Sequence, residues 1–477
     1  MLNKSIPRIV VSGLRGGSGK TVLSLSLVAL LGKKGFRVTP FKKGPDYIDA
    51  GWLAKASGAP CYNLDLFMMS PEQTVKSFVS HSYNSQIAII EGNRGLYDGV
   101  DHEGTYSTAE LAKLLNAPVA LLIDCTKATN TIAALVLGCQ KMDPDVPIRG
   151  VVLNRIATDR QEAVIRKAIK EKCNLPVIGA IPRLKKDPFP ERYMGLTPFQ
   201  EHKGAEDSIA SAAEIGAKYL DMDAILSVAE NAGTLETAFS GQRSAISNGP
   251  RTTDHGPRIG VIRDSAFQFY YQENFEELEK RGARLIEVSP LKESGLPEID
   301  ALYIGGGFPE THAIALAENK NFRDSLYEAT RNGLPVYAEC GGLMYLGKSL
   351  VLEGRTYPMV GALPVTFGLE KKPMAHGYTI VEVENTNPYF HRGGVFKGHE
   401  FHYSRVLEIE EKDIYMAFNV RRGRGIVDNK DGMCYKNVLA AYTHLHAAGS
   451  PEWADGLVRC AREYKEGTKA QRHRGTE

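Results

Sequence analysis

The sequence predicts an α/β protein built from two α/β domains. Short apolar runs that read as buried strands alternate with helical patterns along most of the chain, as in a parallel sheet covered by helices. A glycine-rich loop at residues 13–21 joins the first predicted strand to the first predicted helix, and the alternation is interrupted at residues 229–257. A length of 477 residues and a hydrophobic content of 43% are sufficient for separate cores.

The composition argues against several classes of function. A formal net charge of +2 gives no basis for a nucleic-acid partner or an anionic membrane. No window approaches the ~20 apolar residues of a membrane span, and the first residues lack a signal-peptide pattern. We therefore expect a cytoplasmic protein. The seven cysteines show no C-x-x-C spacing, so neither a disulfide framework nor a zinc site is indicated.

The loop GLRGGSGKT, residues 13–21, has the composition of a phosphate-binding loop. The usual pattern is G-x-x-x-x-G-K-[ST], whereas here the leading glycine comes one position early and Leu14 takes its place. Residues 8–11 read as a strand and residues 21–31 as a helix, which is the context of a P-loop NTPase-like sheet that binds ATP with Mg²⁺. A glycine-rich turn that binds nothing is the alternative. The predicted nucleotide-binding residues are Gly13, Gly16, Gly17, Ser18, Gly19, Lys20 and Thr21.

Polar residues follow the predicted strands of this first domain. Ligands of open α/β sheets bind outside the carboxyl ends of the strands, so these side chains should converge on the loop. A magnesium ion on nucleotide phosphates needs carboxylate or water oxygens, which Asp46 and Glu91 could supply together with the Thr21 hydroxyl. Asp124 is equally well explained as a helix N-cap, and Asn154 as a contact to an adenine edge or as a cap. The convergent residues are Lys42, Asp46, Asp49, Glu91, Asp98, Asp124 and Asn154.

The interruption at residues 229–257 predicts a linker. It is rich in Gly, Ser, Thr and Asn and has no apolar periodicity. We therefore predict an ATP-binding domain over residues 1–228, a second α/β domain over residues 258–450, and a C-terminal helix with a basic tail over residues 451–477.

Cys340 is the candidate nucleophile of the second domain. The segment GLPVYAECGGLMYL reads as a strand over residues 335–338, a sharp turn at Cys340 and a helix from about Leu343. Such a turn exposes the sulfur, and the helix N-terminus would favour the thiolate. Candidate oxyanion donors are the N–H groups of Gly306, Gly307 and Gly341. Candidate bases are His444 and His446, which share a strand face unless the strand has already ended. A buried structural thiol is the alternative.

Several motifs together resemble the cobyrinic acid a,c-diamide synthase family. These enzymes are glutamine-dependent amidotransferases with a synthetase domain similar to dethiobiotin synthetase and a class I-like glutaminase domain. The early leading glycine of the loop is also similar to the dethiobiotin synthetase form. The motifs are FKKGPDYID, NLDLFMM, EGNRGLYDG, AFQFYYQEN, YIGGGFPE, AECGGLMYL, GHEFHYS and YTHLH.

This resemblance implies a carbon–nitrogen ligase of cobalamin biosynthesis. It would use ATP and glutamine to amidate the a and c acetates of a corrin or related tetrapyrrole. YTH resembles the Y-L-H-G segment that holds the base in cobyric acid synthases, which favours His444; the acid usually found two residues later is absent. Arg15 stands where the deviant loop of MinD-like ATPases has its signature lysine. The residues that the resemblance assigns to substrate binding or carboxylate activation are Lys42, Tyr47, Asp49 and Asp98.

Three other readings stay open to different degrees. Cobyric acid synthase carries an F-K-x-Q-N-M type segment where this chain has FKKGPDYID, which argues against it. A MinD/ParA-like nucleotide switch would need neither Cys340 nor the histidines. Nickel-sirohydrochlorin or hydrogenobyrinic acid as the acceptor fits the motifs equally well, and a homodimer is left open.

Overall fold

The computed structural model describes residues 6–184, 189, 191–192, 195–235, 256–410 and 414–474. The chain divides into two compact units, Met1–Gln242 and Arg243–Glu477, called here the N-terminal unit and the C-terminal unit. Residues 236–255 of the predicted linker lie outside the described residues. The predicted boundaries at residues 228 and 258 therefore stay predictions.

The N-terminal unit alternates strands and helices. Its helices are α1 (Lys20–Lys33), α2 (Ile48–Ser57), α3 (Pro71–Ser82), α4 (Thr108–Leu114), α5 (Thr131–Met142), α6 (Asp159–Cys173), α7 (Ala205–Tyr219) and α8 (Met222–Glu230), with a 3-10 turn at Phe199–Glu201. Its strands are β1 (Arg8–Gly13), β2 (Val38–Lys43), β3 (Tyr62–Leu64), β4 (Ile87–Glu91), β5 (Val119–Asp124), β6 (Ile148–Ile156), β7 (Val177–Pro182), β8 (Glu191–Arg192) and β9 (Gly195–Leu196).

Seven of these strands form one sheet, in the order β3-β2-β4-β1-β5-β6-β7. Neighbouring strands are parallel throughout. The central strands are buried on both faces because helices cover both, which explains their continuous apolar runs. The carboxyl ends of β1, β2, β4, β5 and β6 consequently meet at one edge. This arrangement confirms the predicted α/β class and positions the loop after β1.

The C-terminal unit mixes parallel and antiparallel strands. Its helices are α9 (Gln272–Lys280), α10 (Ala313–Glu318), α11 (Lys320–Arg331), α12 (Gly341–Leu346) and α13 (Pro451–Arg474), with a 3-10 turn at Pro309–His312. Its strands are β10 (Arg258–Ile262), β11 (Phe267–Phe269), β12 (Arg284–Val288), β13 (Ala301–Ile304), β14 (Gly306–Gly307), β15 (Val336–Glu339), β16 (Ser349–Leu352), β17 (Arg355–Pro358), β18 (Val365–Leu369), β19 (Ala375–Val383), β20 (Val395–His402), β21 (Ser404–Ile409), β22 (Tyr415–Arg422), β23 (Lys430–Tyr435), β24 (Val438–Ala441) and β25 (His444–Leu445).

Ten of these strands form a sheet in the order β12-β10-β13-β15-β24-β23-β22-β19-β20-β25. The half from β12 to β24 is parallel, and the half from β24 to β25 is antiparallel. The chain leaves β15 at Cys340, and β24 lies beside β15 and leads into β25. The sheet thus brings the two predicted catalytic segments into one region. No helix among the described residues is long and apolar enough to cross a membrane.

Candidate active sites

The phosphate-loop candidate in the N-terminal unit is braced by Asn154. Asn154 Nδ2 donates a hydrogen bond of 2.8 Å to the Ser18 carbonyl oxygen. Gly19 has a φ of 95°, and a Cβ there would lie 2.7 Å from Asn154 Nδ2, so a side chain is excluded. Asn154 is not a helix cap, because the N-cap of α6 is Thr158, whose hydroxyl accepts a hydrogen bond from the Gln161 N–H. The capping alternative for Asn154 is therefore wrong.

Two cationic residues of the loop occupy different environments. Lys20 is buried, and its Nζ donates to the Arg15 carbonyl oxygen at 3.0 Å. Burial, and then the neighbouring Lys42 ammonium, lowers the pKa of Lys20. The Arg15 side chain is 71% exposed, with its guanidinium 3.5 Å from Asp124 Oδ2. The loop thus holds one cation inside and presents the other to solvent.

Asp124 is held at the rim of the loop. Its Oδ1 accepts hydrogen bonds from the Thr126 N–H and hydroxyl, and its Oδ2 pairs with Arg155 at 2.7 Å. The next helix, α5, has Asn130 at its N-cap, with no side-chain capping bond. Asp124 is therefore not the cap of α5, which removes that alternative.

A cluster of Lys42, Asp49, Glu91 and Thr21 lies at the carboxyl ends of β2 and β4, with Lys42 and Glu91 buried and the other two partly buried. Lys42 Nζ is 2.6 Å from Asp49 Oδ2 and 2.8 Å from Glu91 Oε1. The Thr21 hydroxyl donates to Glu91 Oε1 at 2.8 Å and lies 3.3 Å from Asp49 Oδ2. The structure therefore brings three of the residues that the sequence predicted to converge, Lys42, Asp49 and Glu91, to Thr21 of the loop.

The charges of this cluster are set by burial and by their mutual interaction. Burial raises the pKa of Glu91 to about 7, although Lys42 opposes the shift. Burial and then Asp49 raise the pKa of Asp46 to about 6, and Asp46 Oδ1 accepts a hydrogen bond of 3.0 Å from the Asp49 N–H. For Asp49, burial acts to raise the pKa, but the Lys42 ammonium and the side-chain hydrogen bonds to this carboxyl together lower it. The two carboxylates likewise outweigh burial at Lys42 and raise its pKa.

The donor set beside the loop fits magnesium. Thr21, Asp46 and Glu91 offer hydroxyl and carboxylate oxygens, which are the ligands that Mg²⁺ prefers. Glu91 Oε2 is buried and has no hydrogen-bond partner among the described residues. The described residues contain no group of three or more His, Cys, Asp and Glu that could hold a metal without other ligands. Mg²⁺ would therefore also need oxygens from phosphate and water.

The remaining predicted residues of this unit are Asp98 and Tyr47. Asp98 Oδ2 accepts a hydrogen bond of 2.8 Å from the Gly95 N–H, which closes a turn after β4. The Leu96 N–H of that turn donates to the Gly13 carbonyl oxygen at 2.7 Å. Tyr47 occupies the N-cap position of α2, with its hydroxyl buried. Asp98 therefore shapes the turn that packs on the loop.

Cys340 lies on a sharp turn between β15 and α12 in the C-terminal unit. Its φ is 47°, which a residue with a side chain rarely adopts, and its N–H donates to the Ala441 carbonyl oxygen at 2.7 Å. A Cβ at Gly342 would lie 2.7 Å from the Ile304 carbonyl oxygen, and one at Gly341 would lie 2.9 Å from the Gly307 nitrogen. The two glycines let the turn approach β13 and β14. The helix begins at Gly341, two residues before the predicted start.

The Cys340 thiol does not match the expectation of a stabilised thiolate. Burial and the nearby Glu310 carboxylate raise its pKa, whereas the Gly341 N–H acts in the opposite direction. The thiol donates to the Phe401 carbonyl oxygen, with Sγ and O 3.7 Å apart. The helix of six residues does not offset burial. Ionisation of this cysteine therefore requires a base.

His444 faces a carboxylate that the sequence reading missed. His444 Nδ1 lies 3.3 Å from Glu339 Oε2, and both side chains are buried. Glu339 Oε1 also accepts a hydrogen bond of 3.1 Å from the Leu445 N–H. The acid therefore comes from the residue before Cys340 in AECGG, and not from a position after the histidine.

The glycines of β14 lie against the histidine and the cysteine turn. A Cβ at Gly306 would lie 2.6 Å from His444 Cε1, and the Gly307 nitrogen borders Gly341. The His399 ring stacks on the His444 ring, with centroids 4.8 Å apart. Burial and then His444 lower the pKa of His399 well below its usual value. The predicted nucleophile turn, oxyanion glycines and base thus lie in one place.

His446 has a different environment. Its Nδ1 accepts a hydrogen bond from the Ala448 N–H at 3.2 Å, and its Nε2 lies 3.5 Å from Glu273 Oε2. β25 ends at Leu445, so the two histidines do not share a strand face. His446 is fully buried and packs against Tyr271, with ring centroids 4.6 Å apart and the ring planes tilted by 48°.

Comparison with known proteins identifies both halves of the chain. Residues 9–193 match the model of the CobQ/CobB/MinD/ParA nucleotide binding domain, and residues 258–452 match that of the CobB/CobQ-like glutamine amidotransferase domain. A cobyrinate a,c-diamide synthase of Magnetococcus marinus is 40% identical over 96% of this chain and 98% of its own length. This chain belongs to the cobyrinate a,c-diamide synthase family.

Other family members match over similar lengths. The cobyrinate a,c-diamide synthase of Archaeoglobus fulgidus is 39% identical over 98% of this chain and 100% of its own length. That of Methanosarcina barkeri is 37% identical over 97% of each chain. These matches confirm the resemblance read from the motifs, including an N-terminal nucleotide-binding domain and a C-terminal amidotransferase domain.

Proposed function

We propose that this protein is an ATP- and glutamine-dependent ligase that amidates the a and c acetate carboxylates of cobyrinic acid in cobalamin biosynthesis. The observation that carries the proposal is the combination of a braced phosphate loop with a Cys340–His444–Glu339 site in a chain of this family. The nucleotide site would activate the carboxylate, and the cysteine site would supply ammonia.

In the N-terminal unit, a substrate carboxylate oxygen would attack the γ-phosphorus of ATP. The bond to ADP breaks, and an acyl phosphate forms. The Lys20 ammonium and the loop N–H groups would stabilise charge on the transferred group. Mg²⁺ held by Thr21, Asp46 and Glu91 would supply charge neutralisation at the phosphates. The residues proposed to bind ATP are Gly13, Arg15, Gly16, Gly17, Ser18, Gly19, Lys20, Thr21 and Asn154.

The acceptor carboxylate would lie near the cluster at the carboxyl ends of β2 and β4. Lys42 carries the one ammonium group between Asp49 and Glu91, and it would offset negative charge when a carboxylate and phosphates approach. We propose that Tyr47 and Asp98 border the same acceptor position, because Asp98 shapes the turn that packs on the loop and Tyr47 lies two residues before Asp49.

In the C-terminal unit, Cys340 Sγ would attack the side-chain amide carbon of glutamine. His444 would accept the thiol proton and deliver a proton to the departing ammonia, leaving a thioester. N–H groups of Gly306, Gly307 and Gly341 would stabilise the tetrahedral oxyanion. Water would then release glutamate and restore the thiol. Ammonia that attacks the acyl phosphate expels phosphate and forms the amide.

The proposed partners are small molecules: the corrin, ATP and glutamine. We propose neither a nucleic-acid nor a membrane partner. A cytoplasmic reaction is part of the proposal, since the seven cysteines are free thiols, which is typical of that compartment. We also propose a homodimer, which a molecular mass measured by sedimentation equilibrium would test.

The test is mass spectrometry of cobyrinic acid after incubation with the protein, Mg²⁺-ATP and glutamine. Two added amides are expected. Parallel reactions contain nickel-sirohydrochlorin or hydrogenobyrinic acid, because the shared motifs do not distinguish these macrocycles. Amides on another macrocycle alone would keep the reaction and change the acceptor. ATP hydrolysis without amidation of any acceptor would favour a nucleotide switch instead.

Cys340→Ala separates the two half-reactions. We expect it to abolish amidation supported by glutamine and to keep amidation supported by ammonium salts, since only glutamine needs the thiol. Cys434→Ala, which removes another buried thiol of the same unit, is the control. Equal loss with both nitrogen sources would contradict the division of labour.

A further inference from the structure

We propose that Glu339 is the positioning residue of the glutaminase base, so that the acid partner of His444 comes from the residue immediately before the nucleophile. This inference rests on the proposed function of Cys340 and His444. It assigns a role to a side chain that neither motif spacing nor the usual place of the acid indicates.

The hydrogen bonds of Glu339 determine which nitrogen of His444 carries the proton. Its Oε1 accepts from the Leu445 N–H, and its Oε2 accepts from the Tyr303 hydroxyl at 3.2 Å. Burial and Glu339 itself raise the pKa of Tyr303, which keeps that phenol protonated. A carboxylate oxygen can only accept hydrogen bonds, so the ring nitrogen that lies 3.3 Å from it must be the donor. The proton of His444 therefore lies on Nδ1. Nε2 is then the nitrogen that carries no proton and can accept one from the thiol.

The backbone around His444 is fixed as well. Asn274 Nδ2 donates to the Leu445 carbonyl oxygen at 3.0 Å, and Asn274 Oδ1 accepts from the Ala447 N–H at 2.8 Å. The same Asn274 Nδ2 lies 3.2 Å from the Tyr303 hydroxyl. Glu339 thus belongs to a buried network that holds both the ring and the backbone of the base.

The other groups near the ring do not fill this role. His399 stacks on the face of the His444 ring, and its Nδ1 lies 3.1 Å from the Tyr271 hydroxyl. An imidazole carries no negative charge, so His399 cannot replace the carboxylate. Glu273 faces His446 Nε2, in the opposite ring orientation. Glu339 is therefore the carboxylate that contacts His444 Nδ1.

Glu339→Gln is the discriminating variant. The amide keeps the size of the side chain and can still accept from Leu445, but its NH₂ group toward His444 would move the imidazole proton to Nε2. We expect kcat for glutamine-supported amidation to fall by about 10³-fold, with KM for glutamine and the ammonia-supported rate within threefold of the unmodified chain. The matched control is Glu273→Gln, which alters the other histidine–carboxylate pair.

A glutamine-supported kcat within threefold of normal in Glu339→Gln would overturn the inference. Equal loss with glutamine and ammonia would also overturn it, since that is the signature of a merely structural residue. If the unmodified chain amidates the acceptor with neither glutamine nor ammonia as the nitrogen source, the result would instead reject the proposed function.

A second measurement reads the tautomer of His444 in the unmodified chain. In the unmodified chain labelled with ¹⁵N-histidine, the His444 resonances, assigned by their loss in His444→Asn, should show a proton on Nδ1. A proton on Nε2 would overturn the inference.

Discussion

Asn154 Nδ2 lies 2.8 Å from the carbonyl oxygen of Ser18, so the side chain at the end of one strand supports the loop that follows another. The loop and Asn154 are 136 residues apart in sequence. The shape of the phosphate site therefore depends on the sheet as well as on the glycines.

Asn154→Ala should weaken ATP binding. Loss of the amide removes a hydrogen bond of about 1 kcal/mol and frees the loop to populate other conformations, so we expect an increase of about tenfold in the Kd for Mg²⁺-ATP. Isothermal titration calorimetry measures it. Asn231→Ala removes an equivalent bond to the Ser227 carbonyl oxygen at the end of α8 and should leave Kd unchanged. Equal weakening in both variants would contradict a local role.

Lys42→Met should destabilise the N-terminal unit. The change leaves Asp49 and Glu91 buried without their shared cation, which costs about 3 kcal/mol by analogy with other broken buried ion pairs. The unit contains Trp52, and Trp453 lies in the other unit, so urea unfolding of a Trp453→Phe background follows Trp52 fluorescence alone. Adding Glu91→Gln should restore part of the lost free energy of unfolding. No recovery in the double variant would show that the pair is uncoupled.

Gly306→Ala should impair glutamine use selectively. The added Cβ would lie 2.6 Å from His444 Cε1, and the ring is confined by Glu339 and His399, so the base must shift. A misplacement of about 1 Å costs about 100-fold in rate. The ratio of glutamine-supported to ammonia-supported amidation measures the effect. Gly295→Ala is the control, because its Cβ would meet Ser325 Oγ at an ordinary 3.8 Å.

Arg8→Met should also destabilise the N-terminal unit. Arg8 is fully buried, and its guanidinium donates to the carbonyl oxygens of Ile6, Leu115, Asn116 and Gly233. Methionine fills similar space but removes the guanidinium from the Ile6, Leu115 and Gly233 carbonyl oxygens, whereas that of Asn116 keeps the Gly233 N–H. The expected loss is about 2–3 kcal/mol. Urea unfolding followed by Trp52 fluorescence, in the same Trp453→Phe background, measures this loss of stability. An unchanged midpoint would mean that water replaces the guanidinium.

The sequence was sufficient for the class of fold and for most of the residues at each site. Glycine spacing, apolar runs and polar residues at strand ends are local signals, and the parallel sheet brings them to one edge. Thr21, Lys42, Asp49 and Glu91 were therefore predicted together, although their individual bonds were not.

The misses concern long-range contacts and burial. The motifs do not indicate Glu339, because its contact with His444 joins residues 105 positions apart, whereas the usual place of the acid is two residues after the histidine. The thiolate expectation for Cys340 failed because the short helix does not compensate for removal of the sulfur from water. Both depend on packing, which spacing does not encode.

The adjacency of Glu339 and Cys340 has a consequence for thermal inactivation. A peptide bond joins the acid to the nucleophile. His444 stands on β25, a strand of two residues that noncovalent contacts keep beside them. Local fraying of β25 would disconnect the base and leave the nucleophile and acid in place. Glutamine use should then fade reversibly on warming, below the temperature of global unfolding. The Leu445 N–H, which donates to Glu339 Oε1, reports this opening by hydrogen exchange. Protection of this amide as strong as that of the β15 amides would exclude local fraying.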